Sequence, residues 1–166
     1  MCDNGKDFPL KSYRRLILRT GDSIYGKIQT YVNDTDFEYC GNWQYKTNQY
    51  GAHNDDIHIS NEAGDVALLK FKGNRIMLFG GAFDDNGIAE ITIDDMHMSE
   101  CDFYSNVNRW ENVDTRSSNT STGDTLQYIS PYLDDGEHIL KITVKGEKNS
   151  DSKGCFVVID KAVIMK

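Results

Sequence analysis

Proline, clustered positive charge, long apolar runs and helical periodicity are scarce or missing in this chain, and each absence closes off a class of protein. Only two prolines occur in 166 residues, and Pro131 falls in a polar loop where its missing N–H does no harm. Lysine and arginine number 18 against 26 aspartates and glutamates, a net charge of −8. The cations are scattered, with only Arg14 and Arg15 adjacent. Nucleic acid needs grouped cations to neutralise its phosphates and is not expected as a partner. No apolar run approaches the length of a membrane span, so no membrane insertion is expected. The start Met1-Cys2-Asp3-Asn4-Gly5 is too polar for a signal peptide. That leaves a cytoplasmic protein or a piece of a longer exported chain.

Zinc-type spacing is also missing, because Cys2, Cys40, Cys101 and Cys155 lie far apart. Free thiols are expected, with Cys40, Cys101 and Cys155 packed as small hydrophobes. No nucleophile elbow, His-Glu-x-x-His motif or phosphate-cradling loop is present. The expectation is therefore a protein that is not an enzyme. A pair of acidic residues for glycoside hydrolysis stays open in a chain so rich in carboxylates.

What is present is a succession of short apolar runs punctuated by Gly, Asn, Asp and Ser. Strands are predicted at Arg15–Arg19, Ser23–Thr30, Asp36–Cys40, Asp65–Lys72, Arg75–Phe79, Ile88–Asp94, His97–Cys101, Thr125–Ile129, Glu137–Lys145 and Cys155–Met165. Such spacing means an all-β, antiparallel β-sandwich. Gly73-Asn74 reads as a tight hairpin turn, and Glu137–Lys145 with the following strand as a closing hairpin. The run Ile76-Met77-Leu78-Phe79, apolar on both faces, predicts a central strand covered on both sides. Residues 1–30 read as an N-terminal β extension or the end of a preceding module, and 31–166 as the sandwich.

Three loops are too long to be simple connectors. The first, Gly41–Asp56, carries Trp43, Tyr45, Tyr50 and His53. The second, Gly80–Gly87, carries Phe83, Asp84 and Asp85, and the third, Asp102–Asp124, carries Tyr104, Arg109, Trp110 and Arg116. Sugar C–H faces stack on aromatic rings, while His and Asp fix hydroxyls by directional hydrogen bonds. Trp43 could equally cap the core, and the Asp84-Asp85 tip could be a solvated turn. His58, His97 and His138 lie in or beside strands and read as structural.

From about Val32 to Ile164 the chain resembles the galactose-binding-like jelly-roll carbohydrate-binding modules that accompany bacterial glycan-active enzymes. The matching segments are Asp36-Phe37-Glu38-Tyr39-Cys40-Gly41-Asn42-Trp43, Gly64–Gly73, Arg75–Gly80, Gly87-Ile88-Ala89-Glu90-Ile91-Thr92-Ile93-Asp94-Asp95, the Gly136–Lys141 strand and Val157-Val158-Ile159-Asp160. Asp95 departs from the usual turn Gly, the third loop is longer than expected, and the first thirty residues have no counterpart.

The resemblance implies a jelly roll that binds an oligo- or polysaccharide without catalysis, as part of a larger extracellular multidomain protein. Ligand contacts are expected from Trp43, Tyr50, His53, Phe83, Asp84, Asp85, Tyr104 and Trp110, at the loop end rather than on a sheet face. It also implies a structural calcium near the first and last strands, with Asp36, Glu38 and Asp160 as the side chains of choice. A second possibility is a structural or adhesion module of a phage tail fibre or bacterial surface assembly, pairing through the N-terminal strands.

Overall fold

The computed structural model describes residues 28–106 and 123–166, and within them the chain is an antiparallel β-sandwich. Twelve strands are described: β1 (Ile28–Asn33), β2 (Glu38–Cys40), β3 (Gln44–Thr47), β4 (Asp56–Ser60), β5 (Val66–Gly73), β6 (Arg75–Gly80), β7 (Ile88–Ile93), β8 (Met96–Asp102), β9 (Thr125–Ile129), β10 (Gly136–Glu147), β11 (Val157–Ile159) and β12 (Lys161–Met165). They form a five-stranded sheet in the order β2-β5-β10-β7-β8 and a four-stranded sheet in the order β1-β12-β6-β9. A smaller sheet, β11-β4-β3, completes the fold. The strand predicted at Arg15–Arg19 and most of the proposed 1–30 extension lie outside the described residues.

Strict alternation builds the five-stranded sheet. In β10, Leu140, Ile142 and Val144 are buried while Lys141, Thr143 and Lys145 point outward. Ala67, Leu69 and Phe71 of β5 and Ala89, Ile91 and Ile93 of β7 meet them from the neighbouring strands. The second layer supplies Ile76, Leu78, Ala162 and Ile164 to the same core. The run Ile76–Phe79 is indeed a central strand, with β12 on one side and β9 on the other.

Several local expectations are corrected. Gly73-Asn74 is not a hairpin turn, because β5 and β6 belong to different sheets and the turn hands the chain from one layer to the other. The closing hairpin also fails: β10 pairs with β5 and β7, whereas the last predicted strand is split. Its first part, β11, pairs with β4, and its second, β12, with β1 and β6. The split falls at Asp160, whose N–H bonds to Phe79 O at 3.0 Å. The first loop is partly structured, since β3 and β4 pair from Gln44↔Ile59 to Thr47↔Asp56. Among the cysteines, Cys40 and Cys155 are free, but Cys40 is exposed rather than packed. Cys101 is buried in the core as expected, yet it is disulfide-bonded.

Candidate functional site

The β3–β4 hairpin carries residues 48–55 as its loop, and this loop positions Tyr50 and His53. Asn48, Asn54 and Asp55 take left-handed backbone angles, φ 59°, 56° and 57°, which Asn and Asp tolerate better than most residues. Backbone bonds Gln49 N–H to Asp55 O (2.8 Å) and Ala52 N–H to Gln49 O (3.1 Å) close the loop on itself. It is then docked onto the sandwich by Asp160. One oxygen of that buried carboxylate accepts the His53 N–H at 2.7 Å, and the other accepts the Asp124 N–H at 2.7 Å. Burial pushes the Asp160 carboxyl up to about 6, against the pull of those two N–H groups. A side chain at Gly123 would meet the same carboxylate at 2.7 Å and Ala52 Cβ at 2.9 Å, so only glycine lets the third loop return here.

The docked loop brings His53 against Tyr31 of β1, with ring centroids 6.3 Å apart and planes 17° off parallel. Lys161 Nζ stands 5.9 Å from the Tyr31 ring and 5.0 Å from that of Phe79, while pairing with Asp124. Tyr31, Tyr45 and Tyr50 are 56%, 51% and 49% exposed. Exposed rings beside a hydrogen-bonding histidine can stack on a ligand face and fix its hydroxyls. Sequence reasoning picked out Tyr50 and His53 and counted Tyr45 among the aromatics of the same loop, but missed Tyr31, which looks like an ordinary strand residue.

Phe83, Asp84, Asp85 and Tyr104 gather about a second centre. Phe83 and Tyr104 form a parallel bridge, and Ser105 donates to Phe83 O at 3.0 Å and, through its hydroxyl, to Ala82 O at 2.7 Å. Phe83 is fully buried, so its ring belongs to the interior and offers no face to a ligand. Asp84 and Asp85 are buried too, not a solvated tip, and Lys153 Nζ reaches Asp84 Oδ2 at 2.5 Å. β11 joins the two centres: Phe156 just before it bridges Asn86, and Asp160 just after it holds His53. Four residue steps of extended chain separate them, about 13 Å. Trp43 is half-buried against Tyr39, at 5.1 Å between rings, and its indole N–H is buried with no hydrogen-bond partner. Trp110, Arg109 and Arg116 lie outside the described residues.

Asp36, Glu38 and Asp160 each have partners of their own. Asp36 Oδ2 accepts the Asn33 N–H at 3.1 Å, Glu38 faces Lys70 at 3.8 Å from the surface, and Asp160 has both oxygens engaged as above. Among the described residues no group of three His, Cys, Asp or Glu side chains is arranged to hold a metal ion.

A buried charged cluster that sequence reasoning missed lies next to the hairpin. His58 Nδ1 is 2.6 Å from Asp34 Oδ2, the Tyr39 ring stacks on His58 at 4.0 Å, and Tyr45 donates to Asp56 Oδ2 at 2.9 Å. Burial raises the Asp34 carboxyl, His58 pulls it down, and Asp56 pushes it up again. The reading of His58 as structural stands in this geometry, because it ties β4 to the turn after β1. The partners Asp34 and Asp56 carry no sequence signal that separates them from the many other acidic residues.

An open groove of about 600 Å³ lies on the five-stranded sheet, lined by Lys70, Phe71, Lys72, Asp94, Glu137, His138 and Ile139. Its outward side chains are charged except for Ile139, and it has no exposed aromatic ring.

No protein-family model matches the chain, and no curated protein matches it. Solved structures share its fold at low identity. A family 35 carbohydrate-binding module from Cellvibrio japonicus Abf62 is 13% identical with a TM-score of 0.54, covering 81% of this chain and 93% of its own. A family 35 carbohydrate-binding module from an environmental isolate is 14% identical with a TM-score of 0.53, covering 81% and 92%. A Paenibacillus xanthan lyase is 12% identical with a TM-score of 0.59 over 84% of this chain, but the match spans only 13% of the lyase. At these identities the likeness shows the fold.

Proposed function

We propose that this chain is a non-catalytic carbohydrate-binding module that holds an attached enzyme or assembly on a glycan outside the cell. The observation that supports this most is the pairing of two facts. The fold is that of whole carbohydrate-binding modules, end to end on their side, and one hairpin loop carries both the exposed Tyr50 and the His53 that stacks on Tyr31. In this reading Tyr50 and Tyr31 supply stacking surface and His53 a directional hydrogen bond. Lys161 and Asp124 border the patch with one charge of each sign. Asp84, Asp85 and Tyr104 belong to the second region and act on a longer ligand, with Phe83 supporting them from inside, while Trp43 packs apart from them against Tyr39. Tethering raises the local substrate concentration of a linked enzyme without adding a chemical step.

A shallow site built on few rings gains little beyond the cost of ordering its ligand, so affinity is expected on the order of micromolar to millimolar. Calorimetry against a panel of plant, microbial and host glycans tests the reading. Binding in that range to one glycan class supports it, and no binding to any member of the panel overturns it.

A further inference from the structure

The charge that the hairpin patch turns to a ligand is set by how one ion pair is placed. His53 stacks on Tyr31, Lys161 stands over the Tyr31 and Phe79 rings, and Lys161 pairs with Asp124. The Asp124 and His53 N–H groups meet on the two oxygens of Asp160, which closes these residues into a ring of contacts. Within that ring the cation and the carboxylate are not equivalent. The Lys161 side chain is 13% exposed and that of Asp124 is 51% exposed. An ammonium covered by two rings and held by a carboxylate offers little charge to the solvent. Lys161 bonds to Asp124 Oδ1, and a carboxylate has room for about four donors. The pair therefore presents its negative end.

The surroundings carry the same sign. Asp55 is exposed on the hairpin loop. Asp34 and Asp56 are buried on the Tyr45 side of the hairpin, where Asp56 Oδ2 accepts the Tyr45 O–H. The faces of Tyr31 and Tyr50 add the negative pole of the aromatic quadrupole. Lys46 follows Tyr45 in β3 and so projects from the opposite face of that strand. A ligand carboxylate would approach against this field. A ligand ammonium would meet a carboxylate and aromatic faces.

We infer that this patch selects sugars carrying a free, protonated amine and turns away uronates, with Asp124 as the specificity-determining residue. The inference rests on the reading of the patch as the glycan site. The ammonium of a hexosamine pairs with the outward carboxylate of Asp124, while the C–H face of the sugar ring lies on a tyrosine. Because Asp124 is half exposed, water and salt screen the pair, and the result is a preference among sugars rather than tight binding.

Three β-1,4-linked tetramers with one glucose-type backbone isolate the effect of charge: one with an amine at C2, one unmodified, and one oxidised to a carboxylate at C6. In calorimetric titrations in mildly acidic buffer, where sugar amines are protonated, the amine-bearing tetramer should bind roughly three- to tenfold more tightly than the neutral one. The carboxylate-bearing tetramer should bind about twofold or more weakly than the neutral one. Salt at about 1 M shortens the screening length to about 3 Å and should bring all three within about twofold. Asp124→Asn keeps the backbone N–H that Asp160 accepts and tolerates the left-handed angle of this position, φ 57°. It should erase the amine preference and let the carboxylate-bearing tetramer gain on the neutral one, because Lys161 loses its partner. Equal affinities at low salt, tighter binding of the carboxylate-bearing tetramer by the parent, or an amine preference that survives either salt or Asp124→Asn overturns the inference. Binding to another glycan of the panel but to none of the tetramers also overturns it and leaves the module reading standing. No binding to any glycan overturns both.

Discussion

The two large sheets of this sandwich turn very different outer faces to their surroundings. The five-stranded sheet shows Lys70, Lys72, Lys141 and Lys145 interleaved with Glu38, Glu90 and Glu137, tied in places by pairs such as Lys145–Glu147 at 3.0 Å. The four-stranded sheet shows Met77, Val163 and Met165, packed with Phe79, Leu126 and Ile129 and grading into Tyr31 and Lys161 at one end. Alternation in the first face says water. Its loss in the second, where Met77 and Val163 are as buried as many core residues, says cover. A strand that is apolar on both sides therefore reports a second packing surface, and a sheet's outward face cannot be judged from the other sheet's pattern.

Introducing charge on each face should separate them most strongly. Met77→Asp should destabilise the protein by about 3 kcal/mol or more, because an unpaired carboxylate would be buried. Thr143→Asp on the other sheet should stay within about 0.5 kcal/mol. Equal costs in urea titrations would remove the distinction.

Asp160 gives a pH-dependent test of the junction between the sheets. Its folded pKa is raised to about 6. The neutral form is thus favoured by folding, and the contribution is full below about pH 4 and lost as pH rises through about 6. The loss is about 2–3 kcal/mol, from a pKa difference of about two units. Asp160→Asn should flatten that slope, and an unchanged profile would show that Asp160 is not the titrating group.

His138 should act on the five-stranded side with a smaller effect. Its ring nitrogens face Asp94 Oδ2 at 2.7 Å and Asp134 O at 2.8 Å, two acceptors that favour the doubly protonated ring and raise its pKa. Its stabilisation is full below about pH 6.5 and lost as pH rises through the higher folded value. His138→Ala should abolish that alkaline-side step in the melting temperature, and its persistence would assign the step elsewhere. Smallest of all, chelator and added calcium should both leave the melting temperature in place, given how Asp36, Glu38 and Asp160 are engaged. A rise with calcium would restore the cation site.

The fold was legible in the sequence wherever alternation or turn chemistry was local. β9 matches its predicted bounds, and β5, β6, β7, β8 and β10 differ from theirs by a residue or two. Pairing was not legible, because it depends on which layer a turn feeds. Gly73-Asn74 has hairpin chemistry, yet it spans two sheets. β3 was hidden by its polar residues Gln44 and Lys46, which suit an exposed edge strand, and β4 by the polar Asp56, His58 and Ser60 around Ile57 and Ile59, although most of that strand is buried. At the site, Tyr50 and His53 stood out as aromatics in a polar loop. Tyr31 did not, since its exposure comes from an edge strand docking against a loop distant in sequence. Phe83, chosen for its place at a loop tip, is drawn inside by the bridge to Tyr104.

The most direct test compares the hairpin patch with the groove on the charged sheet, using whichever glycan the calorimetric panel identifies. Titrations of that glycan into the parent, Tyr50→Ala, Tyr31→Ala and Ile139→Ala proteins give four affinities on one scale. Loss of Tyr50 should weaken binding by about 1–3 kcal/mol, and loss of Tyr31 by a comparable amount, with stability nearly intact. Ile139→Ala should bind like the parent. Normal binding by both tyrosine variants, with binding abolished by Ile139→Ala, would contradict a ligand site at the loop end and move it to the sheet face.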